Sequence, residues 1–215
     1  MKKKILALCL IVVLAVTAVT GATLAYFTDT KSATNTFTVG NVTIELTEPE
    51  WEKTGKNEAK EAYPGEPLAK DPTVENKGEN PCFVRIHVSN LDQFGTGDMM
   101  ITYRTDFKDG KLGDGWEKYG DYFYYTKPLV VPGTEDESWN TGLVSKTDAL
   151  FDQIVMPKGL TNDATTKDIV VTAQAVQAQG AKNPNWAAVK GMTVEEIAAW
   201  FTTCGMADIA KPATP

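Results

Sequence analysis

Zinc-dependent hydrolysis needs histidines and carboxylates gathered around one ion, and this 215-residue chain has a single histidine, His87. The His-Glu-x-x-His spacing, which sets two imidazoles on one helix face, therefore cannot occur. His87 lies in the alternating run Cys82 to Ser89, on the face opposite Cys82, Val84, Ile86 and Val88. That position predicts a solvated strand residue. A serine or cysteine triad would have to use the same imidazole, and no Gly-x-Ser-x-Gly elbow accompanies it. Acidic residues gather at Asp106, Asp109 and Asp114 and again at Glu135, Asp136 and Glu137. The first group lacks EF-hand spacing, and both read as solvated loops rather than calcium ligands. Trp51, Trp116 and Trp139 could form a glycan-binding platform, but packing inside a sandwich is the preferred reading. The expectation is a non-enzymatic chain with no catalytic residue, no metal and no cofactor.

The elements that would carry any site are mostly strands. Phe37 and Val39 alternate with threonines, Val42, Ile44 and Leu46 alternate with Thr43 and Glu45, and Cys82 to Val88 reads as a half-buried strand. Tyr122 to Tyr125, Leu150 to Met156 and Ile169 to Gln179 complete the set. Pro64-Gly65, Lys77-Gly78, Asp109-Gly110, Pro132-Gly133 and Lys158-Gly159 separate them as turns. Glu48 to Glu61 reads as an exposed, charged connection. Near the end, Thr193 and Glu196 form a capping-box pattern, Val194, Ile197, Ala198 and Phe201 form a helical stripe, and Gly205 can close it. The fold expected is mainly β: a jelly-roll-like antiparallel β-sandwich with a short C-terminal helix.

The first 25 residues have another character. Lys2, Lys3 and Lys4 precede an apolar run from Ile5 to Val19, then Gly21 to Ala25. This is the order of a secretory signal peptide, with cleavage expected after Ala25, Thr23 and Ala25 filling the small-residue pockets and Tyr26 becoming the new N-terminus. Removing the three lysines takes the 21 basic residues to 18 against 28 acidic ones, a formal charge of −10. Such a surface does not suit nucleic acid or anionic lipid, and the membrane is expected to matter only through the uncleaved signal peptide. Two cysteines remain, Cys82 and Cys204, which outside the cell could form one disulfide or stay as thiols. The organisation expected is a signal peptide over 1–25, a candidate donor strand over 26–39, a β-sandwich over 40–210 and a tail over 211–215.

The run Gly21-Ala-Thr-Leu-Ala-Tyr-Phe-Thr-Asp-Thr30 resembles the signal-peptide junction of the TasA and camelysin family, whose precursors are cut by the signal peptidase SipW. Phe37 to Leu46, Tyr63-Pro-Gly65, Lys70 to Gly78, Pro81 to Arg85, Gly120 to Tyr125 and Ile169 to Gln177 are similar to later blocks of that family, in the same order. The resemblance implies a secreted jelly-roll protein of the biofilm matrix or cell surface. It also implies fibres in which the N-terminal segment of one subunit completes the sheet of its neighbour, so the partners would be copies of the chain itself, a signal peptidase during export and other matrix proteins. Here that donor would be Tyr26 to Val39, with Tyr26, Phe27, Phe37 and Val39 as its larger side chains. A monomeric accessory or adhesive module of the same fold is the alternative, and the camelysin side of the likeness implies a metallopeptidase as a third reading.

Overall fold

The computed structural model describes residues 42–60, 62–94, 102–104, 112–135, 137, 142–159, 166–178 and 186–209. The signal-cleavage residues Thr23, Ala25 and Tyr26, and Phe27, Phe37 and Val39 of the candidate donor strand, lie outside them.

Among the described residues nine strands form an antiparallel sandwich: β1 (Ile44–Thr47), β2 (Pro67–Ala69), β3 (Thr73–Asn76), β4 (Cys82–Val88), β5 (Thr102–Arg104), β6 (Trp116–Tyr119), β7 (Tyr122–Tyr125), β8 (Gln153–Val155) and β9 (Val171–Gln177). One sheet has the order β6-β7-β4-β9. Facing it are a β1-β3 pair and a β2-β8-β5 sheet. The chain leading into β8 joins these two. Asn76 N donates to Ser145 O, Thr147 N to Val74 O, Leu150 N to Pro72 O and Lys70 N to Asp152 O, all within 2.8–2.9 Å. Residues 145–155 thus run antiparallel beside 67–76, and the second layer reads β1, then β3 with β2, then β8, then β5. The interleaving of β9-β4-β7 with β3-β8-β5 follows jelly-roll order. A jelly roll pairs its first strand with its last. Here β1 pairs with β3 instead.

The core between the layers holds Val42, Ile44, Leu68, Val74, Val84, Ile86, Phe123, Leu150, Phe151 and Ile154. The alternating inner face read from the sequence is there, but β4 is not half-buried. Phe83 is 0% and Arg85 3% exposed on its other side. That side is covered by α2 (Trp186–Lys190) and α3 (Val194–Thr203), which close a second cluster of Phe83, Tyr122, Tyr124, Val176, Val189, Ile197 and Phe201. The predicted capping box is formed: Thr193 N donates to Glu196 Oε2 (2.9 Å) and Glu196 N to Thr193 Oγ1 (3.4 Å). Gly205, at φ +75°, takes the left-handed conformation that ends the helix.

The connection after β1 also departs from expectation. Trp51–Gly55 forms a π-helical turn continued by the short α1 (Lys56–Glu58), and Trp51 is buried at 3% exposure. The Asp71 carboxylate accepts from Glu50 N (3.0 and 3.1 Å) and Trp51 N (3.2 Å), which holds the turn's start. Gly55 lets it press on β2, since a Cβ there would overlap the Ala69 carbonyl.

Candidate functional site

The feature with most capacity to act is the edge of the four-stranded sheet at β9. Strand β9 bonds β4 from Cys82↔Gln177 to Val88↔Val171 and has that one strand neighbour among the described residues. Its backbone directions follow from the antiparallel alternation. Cys82 exchanges both backbone bonds with Leu129, on the β7 side (2.9 and 2.7 Å), so its opposite number Gln177 turns its N–H and C=O away from β4. Ala178 N donates to Pro81 O and Ser89 N to Val170 O, which puts the even-numbered residues on the β4 side. Val171, Ala173 and Ala175 therefore direct their backbone N–H and C=O groups outward, while their side chains join the main core.

Natural edges are blunted by lysine, proline or bulges. Strand β9, Val-Thr-Ala-Gln-Ala-Val-Gln, has no charged residue and no proline. At the opposite end of the same sheet, β6 exposes Glu117 and Lys118. One edge is guarded by charge and the other is not. Trp200 of α3 reaches the far end of β9, its Nε1 donating to Gln177 O at 2.9 Å.

Beside this edge lies a buried polar network. Arg85 Nε donates to Gln174 Oε1 (2.7 Å), Nη1 to the Tyr124 hydroxyl (3.2 Å) and Nη2 to Ala207 O (3.3 Å). Its guanidinium lies over Tyr122 (3.8 Å to the ring centroid) and Phe201 (4.7 Å) and pairs with Asp208 at 3.1 Å. Gln174 Nε2 donates to Ala207 O and Ile209 N to the Tyr122 hydroxyl. The segment after α3 is thereby fastened across β4, β7 and β9. Nothing in the sequence marks Arg85, which reads there as an outward strand residue.

The other candidate residues find structural roles. His87 is half-buried rather than solvated, with its ring 5.5 Å from Tyr122. Burial holds its pKa below the ordinary histidine value; Arg85 adds to this and Asp121 opposes it. Cys82 and Cys204 are thiols, not a disulfide. They sit on opposite sides of the four-stranded sheet: Cys82 is in the inter-sheet core and Cys204 packs with the helix cluster. A bridge would have to pass through the sheet. Burial pushes the Cys82 thiol far up, so it is inert. Trp51 and Trp116 pack in the core, as preferred over a platform. Asp106, Asp109, Asp136 and Trp139 lie outside the described residues.

Among the described residues the fold is a β-sandwich in which β9 ends its sheet with β4 as its one strand neighbour. The family model described as camelysin metallo-endopeptidase, Peptidase_M73, matches residues 1–86. The likeness to the camelysin and TasA family read from the sequence is thus supported, through a match confined to the N-terminal part of the chain. No curated protein and no solved structure matches. A metallopeptidase would need a set of metal ligands. Among the described residues no three of His, Cys, Asp and Glu are grouped to hold an ion, and His87 packs on Tyr122. These residues do not fit a catalytic zinc site. No helix among them is long and apolar enough to cross a membrane.

Proposed function

We propose that this chain is a secreted structural protein of the cell surface or biofilm matrix that assembles head-to-tail, the N-terminal segment of one copy adding a strand to the β9 edge of the next. The observation that carries the reading is the uncharged, proline-free β9 with its outward backbone groups at Val171, Ala173 and Ala175. Strand addition gains affinity from main-chain hydrogen bonds and register from alternating side chains. The segment Tyr26 to Val39 suits the donor: it has no proline or glycine, is rich in threonine and ends in the alternating Phe37 and Val39. It occupies the place in the chain from which a jelly roll's first strand would come. While it is joined to the signal peptide at the membrane it cannot reach a neighbour, and cleavage after Ala25 releases it. A head-to-tail contact of this kind need not close on itself, and then it makes filaments.

Electron microscopy of the chain starting at Tyr26, beside one starting at Gly40, tests this. Filaments from the first alone support a fibre subunit. If neither assembles, the reading passes to a monomeric accessory or adhesive module in which Tyr26 to Val39 is the subunit's own first strand.

A further inference from the structure

We infer that Lys70 and Asp152 are joined by an intramolecular isopeptide bond formed with the help of Glu48. The β2–β8 register runs Pro67↔Val155, Leu68↔Ile154 and Ala69↔Gln153, and Lys70 N donates to Asp152 O at 2.9 Å, so Lys70 and Asp152 are the next opposed pair. Directly opposed residues on antiparallel strands leave the sheet on the same face, with their Cβ atoms about 5 Å apart. Here that face is the core side. Leu68 and Ile154, the pair two positions away and of the same parity, are both 0% exposed.

A lysine and an aspartate thus share an inward-facing cross-strand position. Lys70 is itself only 3% exposed, its Nζ lies 4.5 Å from the Trp51 ring centroid, and Asp152 Oδ1 is inaccessible to solvent. The Glu48 carboxylate pairs with the Lys70 ammonium, which donates to Oε2 at 3.1 Å and lies 3.0 Å from Oε1. An ammonium and a carboxylate are costly to keep charged away from water, and an amide between Lys70 and Asp152 removes one of each there.

The chemistry balances within these three side chains. Glu48 takes a proton from the Lys70 ammonium, leaving a neutral amine. The Nζ lone pair attacks Cγ of Asp152 and forms the N–C bond. Glu48 hands its proton to the departing carboxyl oxygen, the second amine proton follows, and the C–O bond breaks to release one water. The ammonium and the Asp152 carboxylate become a neutral amide, and Glu48 returns to its starting state as general base and acid. No oxidant, metal or activated ester enters. The cross-link would tie the end of β2 to the start of β8 and stands whether or not the chain forms fibres.

Mass spectrometry of the purified, folded mature chain tests the inference without any variant. The expected mass is that of the sequence less one water molecule, and tryptic digestion should give a branched product joining the peptide that contains Lys70 to the one that contains Asp152. Lys70→Arg, which keeps the ion pair with Glu48 but offers no primary amine, and Glu48→Gln should each restore the full sequence mass. A natural chain at full sequence mass overturns the inference. So does a water loss mapped elsewhere, including a link from Lys70 to Glu48.

Discussion

The guanidinium of Arg85 lies 3.8 Å from the centre of the Tyr122 ring and donates to the Ala207 carbonyl, so one strand residue fastens the far end of the chain to the sheet. Replacing Arg85 by Met keeps much of the packing but strands Gln174 Oε1 and removes one of the two donors to Ala207 O. Leaving buried acceptors unpaired costs about 1–3 kcal/mol. Chemical denaturation should show a loss of that size, and limited proteolysis should cut first after residue 203.

Phe201 should matter as much from the helix side. It is fully buried, meets Tyr124 edge-on with centroids 5.7 Å apart, and lies under Arg85. Phe201→Ala is expected to cost about 3–4 kcal/mol, within the range for large-to-small core changes. A loss below 1 kcal/mol in urea unfolding would mean that the helix is only loosely docked.

The inner face of β4 and the capped helix could be read from the sequence because both are local periodic patterns. The burial of Arg85 and Phe83 could not, since their cover comes from α3 and the residues after it, remote in the chain. The Glu48 to Glu61 connection read as exposed because the π-helical turn within it depends on Asp71 for its cap and on Gly55 for its closeness to β2. The open edge was hidden for a similar reason: Ile169 to Gln179 reads as a strand, but only strand order decides that it lies last in its sheet. The opposition of Lys70 and Asp152 likewise emerges only once β2 and β8 are paired.

Alkaline stability should depend on Tyr125. Burial, then the Asp148 and Asp114 carboxylates, raise its hydroxyl to about 12 from 10.0. Below pH 10 the folded and unfolded chains both keep the proton. Above it the unfolded chain gives the proton up more readily, so stability falls as pH rises toward about 12. Tyr125→Phe should flatten that part of the melting-temperature profile. An unchanged slope would contradict the assigned burial.

Charge placed on the β9 edge should stop assembly without unfolding the subunit. Thr172 and Gln177 are partly exposed at either end of the strand, so a Thr172→Lys, Gln177→Lys double variant adds the kind of guard that natural edges carry. Thermal unfolding should move by no more than a few degrees, because such surface changes are usually within about 0.5 kcal/mol. Filaments should be absent by electron microscopy.

The most direct test of the β9 edge is amide hydrogen exchange, read by NMR, on the chain starting at Gly40 before and after addition of a peptide spanning Tyr26 to Val39. The account predicts new protection at Val171, Ala173 and Ala175, whose N–H groups face outward, and little change at Thr172, Gln174 and Val176, which already bond β4. If those three amides stay unprotected while the peptide binds, or protection appears along another strand, the donor-strand account of this edge is wrong.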